Sequence, residues 1–267
     1  MGASGRRDAL PGVQVVRLTL DQVLSRSVPH RYGTVLHLEG ESVWSVRGAS
    51  YSTRPGTVGV KVPGEVYLER ERRGASRFQV IVFEDALVEE ARAALDLPRA
   101  DLRASAFDGW GDPRVQPLMA LHQAMLDDVT PRAVLEQALP EALATLVTLT
   151  GGEPARVERP GTWSIAVGRA RALLDARITG TVTLDELAAH AGLDKFHLCR
   201  AFREQVGLPP HAYVTHRRVS LAQELLAQGV PQGEVALRVG LYDQSQLHRH
   251  FKRILGLTPG AWARAVR

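Results

Sequence analysis

The chain has 267 residues, of which 45% are hydrophobic and 23% are charged, an ordinary composition for a globular protein of one or two domains. No apolar run approaches the length that crosses a bilayer, and residues 1–7 lead into no signal-peptide core, so we expect a cytoplasmic protein. The single cysteine, Cys199, excludes an internal disulfide and a Cys-rich zinc module.

Charge is distributed unevenly along the chain, although the formal net charge is only +4. Residues 160–267 contain 14 basic and 8 acidic residues, a net charge of +6, whereas the remainder contains 19 and 21, a net charge of −2. A basic segment joined to a slightly acidic one indicates a nucleic-acid-binding module beside a domain of another kind. The alternative is a chance excess of basic side chains on a solvated helical face.

Short β-type runs dominate the chain after residues 1–11, which we expect to be a mobile terminus. Gly- and Pro-containing segments such as Glu39-Gly40-Glu41 and Arg73-Gly74 separate the runs, and no phosphate-binding Gly loop follows any of them. This spacing predicts an antiparallel barrel or a double-sheet jelly roll. The predicted strands cover residues 13–16, 34–38, 43–46, 58–62, 66–68 and 78–83.

Three helices are predicted next, over residues 85–97, after Pro113 and after Pro131, and Pro140 would kink the third. The apolar stripes of the last two have two interpretations. They pack on the barrel, or they form a subunit interface that makes the protein a homodimer through the helices at 113–150. The stripes consist of Val115, Leu118, Met119, His122 and Met125, and of Val134, Leu135, Leu139, Leu143, Leu146 and Leu149.

Residues 151–161 are rich in Gly, Pro and charge and have no apolar period. We interpret them as a linker between one domain over residues 1–150 and a second over residues 162–267. A further helix is predicted from about Thr162 to Ala176.

An internal repeat organises the second domain. Residues 187–193 match residues 235–241 at an offset of 48, and after the turn the offset becomes 49, so the second copy has one additional residue. Each copy reads as a helix, a Gly-containing turn and a second helix, which predicts a duplicated helix-turn-helix rather than an unrelated helical bundle. Matched pairs after the turn include Leu198/Leu247, Arg200/Arg249, Phe202/Phe251, Gly207/Gly256, Pro210/Pro259 and Tyr213/Trp262.

Helix-capping residues agree with this interpretation. Thr183 and Glu186 form the sequence pattern of a capping box, and Asp243 is placed to cap the second recognition helix. One long helix over residues 210–228 should connect the two copies and set their spacing.

The region from Ile165 to Arg267 resembles the DNA-binding domain of AraC/XylS-family transcription regulators. Leu241 and Leu247 stand where that family usually has Phe, which should change packing but not the fold. The N-terminal portion more loosely resembles the family's cupin-like effector domain through His30, Arg54-Pro55-Gly56 and Pro63-Gly64-Glu65-Val66. The resemblance implies an α+β protein: a cupin-like antiparallel β-barrel with C-terminal helices, then an all-α domain of two helix-turn-helix motifs joined by a long helix. The motif consists of Val235-Ala236, Val239-Gly240-Leu241-Tyr242-Asp243-Gln244-Ser245, Leu247, Arg249, Phe251-Lys252 and Gly256-Leu257-Thr258-Pro259.

The residues that would read DNA follow from helical geometry, because Leu198, Phe202, Leu247 and Phe251 should face inward and the opposite faces outward. The family contacts bases at the same positions. Arg pairs with guanine and Gln with adenine, and Phe196 could touch a thymine methyl. Cys199 is interpreted as a small groove-facing residue rather than a redox sensor. The predicted DNA-binding residues are Lys195, Phe196, Cys199, Arg200, Arg203, Gln244, Ser245, His248, Arg249 and Lys252.

Basic side chains beside these faces have two interpretations, as phosphate contacts or as solvated charges. They are Lys195, Arg217, Arg218, Lys252 and Arg253.

His30, Trp44 and Tyr67 are candidates for an effector pocket in the barrel, although each is also an ordinary core or rim residue. Tyr67 occupies a place where related barrels often have His, and His30 and His37 lack a second cluster with metal-ligand spacing. We therefore expect no metal and no cofactor.

Three hypotheses remain. The protein is a sequence-specific regulator of transcription that binds double-stranded DNA and a small-molecule effector, or an effector-independent regulator whose barrel serves dimerisation or partner contact. The third is a cupin-type enzyme with an appended DNA-binding domain, which the missing ligand set disfavours. RNA polymerase is a candidate partner of either regulator.

Overall fold

A computed structural model describes residues 2–5, 10–20, 24–97, 105–151 and 164–266. An antiparallel sheet with three packed helices comes first, and an all-helical part follows, so the predicted α+β fold class is confirmed. Residues 152–161 of the predicted linker lie outside the described residues, and the proposed domain boundaries stay predictions.

Every strand pairing in the described residues is antiparallel, as the short strands predicted. Closure into a barrel stays a prediction, because no pairing among the described residues joins the two edge strands β1 and β8; we call this sheet the barrel. The order along the sheet is β1-β2-β7-β4-β6-β8, with β3 paired to β7 and β5 paired to β4. The strands are β1 (Gly2–Gly5), β2 (Val13–Leu20), β3 (Arg26–Ser27), β4 (Gly33–Val46), β5 (Ala49–Thr53), β6 (Thr57–Lys61), β7 (Tyr67–Phe83) and β8 (Ser105–Asp108).

Two predicted strand breaks are wrong. The runs 34–38 and 43–46 are one strand, β4, and the runs 66–68 and 78–83 are one strand, β7, which pair along most of their length. Gly40, at φ 78°, lies inside β4, where the pairing register shifts on both sides of Glu39. Such bulges admit an extra residue without ending the ladder, so the Gly signal marked an irregularity rather than a turn.

The amino terminus also differs from the expectation. Residues 2–5 form β1 and pair with β2, Gly2 opposite Thr19 and Gly5 opposite Val16. The small residues of β1 give no periodic apolar signal, so the sequence did not predict this strand. Their backbone groups still hydrogen-bond to β2, and this pairing places the segment in the sheet.

The helices of the first part pack on the sheet. In the middle helix Leu118, Leu121 and Met125 are buried, and in the last Leu135 and Leu146 are buried, all in one cluster with the barrel interior. Most of the apolar residues of these two helices are therefore buried within the chain, which agrees with the prediction that they pack on the barrel. Val134 is an exception, at 47% exposure. The helices are α1 (Asp85–Ala94), a short 3₁₀ turn (Pro113–Val115), α2 (Gln116–Leu126) and α3 (Arg132–Gly151), which contains Pro140.

The second part is entirely helical and has two cores. One core contains Phe202 and Tyr213, and the other contains Phe251 and Trp262, which are the matched aromatic pairs of the repeat. Among the described residues, no helix is long and apolar enough to cross a membrane. The helices are α4 (Ile165–Ala176), α5 (Leu184–Ala191), α6 (Lys195–Val206), α7 (Pro210–Ala227), α8 (Gln232–Arg238), α9 (Gln244–Leu255) and α10 (Pro259–Val266).

A buried histidine joins α2 to the sheet. The His122 Nδ1 lies 2.7 Å from Gln79 Oε1 on β7, and its Nε2 lies 2.9 Å from Thr34 Oγ1 on β4. Burial lowers the pKa of His122 to about 3. The ring is therefore neutral in the folded protein and uses both nitrogens in hydrogen bonds.

This histidine should make stability depend on pH. The unfolded chain takes up a proton at His122 near pH 6.5, whereas the folded chain resists protonation down to a pKa of about 3. The free energy of unfolding should therefore decrease as pH falls from about 6.5 towards 3, and His122→Gln should flatten that dependence by up to about 1.4 kcal/mol per pH unit. Urea denaturation at a series of pH values measures the slope.

His248, exposed on α9, provides the matched control, since His248→Gln should leave the slope unchanged. Part of the dependence should survive in His122→Gln, because burial also lowers the pKa of His30, His37 and His216 to about 4. An unaltered slope in His122→Gln would contradict the assignment.

Candidate nucleic-acid interface and interdomain cleft

The first helix-turn-helix unit consists of α5, a turn at Gly192 and α6. Gly192 ends α5 in the left-handed conformation, at φ 71°. The carboxylate of Asp194 then caps α6 by accepting hydrogen bonds from the backbone N–H of Phe196 and of His197. Leu198 is fully buried, so the opposite face of α6 is presented to solvent.

The second unit repeats this design with α8, a turn at Gly240 and α9. Gly240 has φ 76°, and Asp243 caps α9 by accepting from the backbone N–H of Gln246 at 2.7 Å. Leu241 and Leu247 are 5% and 0% exposed. They stand at the two positions where the family that the sequence resembles usually has Phe. Both departures are thus accommodated in the core.

At the start of the first unit, half of the predicted capping box is formed. Thr183 Oγ1 accepts from the backbone N–H of Glu186 at 3.1 Å. The carboxylate of Glu186 accepts from Arg177 instead of reaching back.

The predicted DNA-binding residues lie on the outward faces of α6 and α9. Nine are exposed, including Phe196 at 88%, and Cys199 is half-buried. DNA contact by these side chains stays a prediction. The exposed residues are Lys195, Phe196, Arg200, Arg203, Gln244, Ser245, His248, Arg249 and Lys252.

The two faces differ in charge. On α6, Arg200 Nε lies 2.9 Å from Glu204 Oε1, and Lys195 pairs with Asp185 of α5 at 2.7 Å. The sequence of α9 contains no acidic residue, and it carries Arg249, Lys252 and Arg253. The outward face of α9 is therefore the more electropositive surface.

Arg217 and Arg218 do not belong to this surface, which corrects their interpretation as phosphate contacts. Arg217 is 7% exposed, pairs with Asp175 at 3.1 Å and donates to the backbone carbonyl of Pro29 in the barrel. Arg218 is half-buried and donates to the carbonyls of Ile178 and Gly180. The sequence could not show that these two side chains are engaged, because their acceptors are backbone carbonyls, which no sequence motif marks.

Polar side chains attach the helical part to the barrel. Arg171 of α4 donates to Glu65 Oε1 and to the Pro63 carbonyl, each at 3.3 Å. Arg31 Nε lies 2.7 Å from Glu224 Oε2, and Ser220 Oγ accepts from the backbone N–H of His30 at 3.1 Å. Burial raises the pKa of Glu224 to about 7, against the opposing effect of Arg31.

Between the barrel and the helical part lies a cavity of about 130 Å³, which we call the interdomain cleft. The apolar residues of its barrel walls include Val16, Leu20 and Phe78. Its helical wall comes from α7, the last two residues of α9 and α10. The residues of that helical wall are Ser220, Gln223, Glu224, Ile254, Leu255 and Trp262.

The three predicted effector-pocket residues are not all in one place. His30 and Trp44 line the interdomain cleft, whereas Tyr67 lines a smaller cavity of about 40 Å³ inside the barrel, which Trp44 also touches. The Tyr67 hydroxyl donates to the Val60 carbonyl and accepts from the Val62 N–H, so it supports the wall. Burial, followed by the charge of Arg217, lowers the pKa of His30 to about 4.

Lys61 is a cleft residue that our reading of the sequence missed. It lines both cavities, with Nζ 6.0 Å from the centre of the Trp44 ring and 5.4 Å from that of Tyr67. Burial lowers its pKa to about 8, opposed by the charge of Glu69. In the sequence Lys61 is the last residue of a strand and has no motif around it, so only the folded sheet reveals its position.

Several polar atoms at the cleft are buried and have no hydrogen-bond partner within the part of the chain that the structure describes. They are Gln14 Nε2, Ser27 Oγ, His30 Nδ1 and Trp44 Nε1. Buried polar atoms are normally hydrogen-bonded, so this concentration marks the cleft as a place for a polar group. The described residues contain no group of three or more His, Cys, Asp or Glu side chains that could hold a metal ion.

Comparisons with known proteins agree with the helix-turn-helix assignment. A family model described as a helix-turn-helix domain matches residues 187–265. The HTH-type transcriptional activator AarP of Providencia stuartii is 32% identical over 90 residues, which are 33% of this chain and 67% of AarP. LumQ of Photobacterium leiognathi, named as a probable transcriptional regulator, is 24% identical over 234 residues, 86% of this chain and 88% of LumQ.

Solved structures of ToxT from Vibrio cholerae share the fold of the whole chain. An apo form has a TM-score of 0.61 at 12% identity and covers 98% of this chain and 100% of ToxT. A form bound to an unsaturated fatty acid has a TM-score of 0.58 at 11% identity and covers 97% and 98% of the two chains. At these identities the likeness concerns the fold alone.

The equivalent turn glycines should differ in their tolerance of a side chain. A Cβ added at Gly192 meets nothing within 4 Å, so Gly192→Ala should cost only about 1–2 kcal/mol for the left-handed backbone. A Cβ at Gly240 would lie 2.3 Å from the Thr179 carbonyl oxygen, so Gly240→Ala should cost ~1–3 kcal/mol more. Urea denaturation of the two variants measures the difference, and equal losses would contradict it.

Proposed function

Because the chain belongs to the AraC/XylS family of DNA-binding transcription regulators, we propose that its two helix-turn-helix units read two successive major-groove segments of one operator. The observation that carries this proposal is the pair of exposed, basic faces on α6 and α9, attached to the two ends of one helix. A protein that reads both segments with one chain recognises an asymmetric site.

The connecting helix supports simultaneous reading. α7 has 18 residues and no internal Pro, so it extends about 27 Å as a stiff connector. Successive major-groove segments on one face of DNA lie one helical turn apart, ~34 Å. Units held at opposite ends of such a helix can face adjacent turns without bending the chain.

The second unit should discriminate bases more sharply. Gln244 and Arg249 carry the side-chain groups that pair bidentately with adenine and guanine, and Ser245 and His248 add hydrogen-bonding groups. On α6 the Arg200 guanidinium is already engaged by Glu204, and Phe196 and Cys199 offer mainly apolar contact. We assign base discrimination chiefly to α9 and backbone positioning chiefly to α6.

The interdomain cleft is the proposed effector site. Its unpartnered groups are mostly donors, namely the Gln14 amide, the Trp44 indole and the Ser27 hydroxyl, and Lys61 adds a cation. Apolar walls around such a set suit a small apolar carboxylate. ToxT, which has the same fold, was solved with an unsaturated fatty acid bound.

An effector in this cleft would act on the second unit directly. Ile254 and Leu255, the last two residues of α9, line the cleft together with Trp262 of α10. A ligand that changes the packing there moves the carboxyl end of the helix whose amino end approaches the bases. The effector would thus regulate DNA reading through α9.

The remaining functional expectations have less support. A homodimer through the helices at 113–150 would have to form through their exposed apolar side chains. Val134 is one of these, and Val129, which lies between α2 and α3, is 84% exposed. The effector-independent alternative leaves the donors of the cleft without a role. The cupin-type enzyme is the weakest alternative, since the named relatives AarP and LumQ are regulators.

Replacing Arg249 should test base reading. Arg249→Ala should weaken binding to a selected operator by ~1–3 kcal/mol and relax discrimination at one base position, because a bidentate guanine contact is lost. Arg200→Ala should cost less, since that guanidinium must first leave Glu204. Fluorescence anisotropy on duplexes that the full chain selects from a random library measures both.

Arg73→Ala, on an exposed part of the barrel, is the control and should bind like the unmodified chain. An equal loss on selected and random duplexes would mean that Arg249 contacts phosphate instead. The affinity should also fall steeply with salt, and a flat salt response would contradict DNA reading altogether.

Octanoate and octanol test the effector site, because they differ in charge but share an apolar body. Octanoate should raise the melting temperature of the full chain more than octanol does, since only the carboxylate can pair with Lys61. Lys61→Met keeps the apolar stem and should lose the additional shift. Octanoate should also change operator affinity.

Equal shifts with the two compounds, or a full octanoate shift in Lys61→Met, would reject the carboxylate assignment. A stability shift without any change in operator affinity would favour the effector-independent alternative.

A further inference from the structure

Tyr242 is the most exposed large hydrophobic side chain that the structure describes, at 89%. The next is Phe196, at 88%. Both lie at the amino-terminal ends of recognition helices: Phe196 is the second residue of α6, and Tyr242 precedes the cap residue of α9. A solitary exposed aromatic side chain is common on protein surfaces, so exposure alone indicates no function for Tyr242. Its position before the cap of α9 is more informative.

Tyr242 is the residue that the second copy has in addition. Leu193 matches Leu241 at an offset of 48, and the cap residues Asp194 and Asp243 match at an offset of 49. The residue between Leu241 and Asp243 therefore has no counterpart in the first unit. The insertion leaves both the buried leucine and the capping aspartate in their structural roles.

The local backbone holds this residue outward. The Tyr242 N–H donates to Gln246 Oε1 at 2.8 Å, and the Gln246 N–H donates to Asp243 Oδ1 at 2.7 Å. Leu241, immediately before, is 5% exposed and occupies the core position. With the turn tied to α9 on one side and to the core on the other, the Tyr242 ring extends from the amino end of the helix.

The amino-terminal residues of a recognition helix are those that approach the DNA. Tyr hydroxyls donate to phosphate oxygens in protein–DNA complexes, and such contacts set the register of the protein on the duplex. A neutral side chain makes this contact without displacing a condensed counterion.

We propose that Tyr242 is a positioning residue for the second unit, whose hydroxyl donates to a phosphate oxygen beside the bases that α9 reads while its ring packs on the adjoining deoxyribose. This assignment rests on the proposed DNA-reading function. The contact exists in the second unit alone, because the first has no residue at this place. It fixes the register of α9 in the groove, so Gln244 and Arg249 meet defined base pairs.

Three variants of the full chain test the contact on the selected operator across a salt series. Tyr242→Ala should lower the affinity for the operator about tenfold. Tyr242→Phe should show most of the same loss, because it removes the hydroxyl and with it the hydrogen bond to a charged phosphate. Neither should alter the slope of log affinity against log salt. Lys252→Ala should instead reduce that slope by about one, if Lys252 meets a phosphate.

Ile165→Ala removes another large exposed side chain, 77% exposed on α4, and should bind like the unmodified chain. Because Tyr242 contacts no core, its variants should keep the melting temperature of the unmodified chain. Hydroxyl-radical footprints should also show the protection by α9 becoming less sharply bounded in Tyr242→Ala, with the protection by α6 unchanged.

The outcomes separate this contact from the function on which it rests. Normal affinity in Tyr242→Ala, with loss in Arg249→Ala, would overturn the contact and leave the DNA-reading function intact. Full affinity in Tyr242→Phe would overturn the phosphate hydrogen bond. If the unmodified chain selects no duplex, the DNA-reading function and the contact both fail.

Discussion

One face of α7 is the constraint on which the rest of the molecule depends. Tyr213, Arg217, Ser220 and Glu224 recur at helical spacing, and all four are used in polar contacts, three of them directly with the barrel segment around residues 29–31. A buried Arg or Glu is costly unless it is paired. Because each of these groups has a partner, the helix is held on the barrel in one rotation and one register.

The same helix supplies apolar residues to both helix-turn-helix cores. Tyr213, near its start, packs with Phe202, while Val219 and Leu226 pack with the second unit. Any shift of α7 on the barrel would therefore change the support of α6 and α9 together. The interdomain cleft lies where this helix, α9 and α10 cover the barrel, so the proposed effector site is lined by the carboxyl end of α9, the helix proposed to read bases.

The two predicted helix-turn-helix units have the same supports and different surfaces. Left-handed glycines and capping aspartates recur at equivalent places, because the turn geometry requires them in each copy. The turn geometry places no such requirement on the outward faces of α6 and α9. Consequently Arg200 is bound to Glu204 on α6, whereas α9 has no acidic residue and gains Tyr242 before its cap.

Much of the helical part was predictable, since its signals are local. The offset of the repeat, the turn glycines and the inward Leu198 and Phe251 lie within single helices and turns, where period and capping determine conformation. The barrel was less predictable. Gly40 reads as a turn in the sequence, although a ladder of pairing across β4 and β7 absorbs it as a bulge.

The family, the fold class and the exposed faces of α6 and α9 could be predicted from the sequence, because they depend on periodicity, motif spacing and charge within short segments. The folded chain was needed to show that Arg217 belongs to the barrel interface rather than to DNA, and that Lys61, Trp44 and Glu224 line one cleft. These residues are far apart in the chain, and they come together through strand pairing in the sheet and the docking of α7 on it. That docking rests on long-range polar contacts and on apolar contacts such as those of Val16 and Leu68 with the helical cores, which no local pattern encodes.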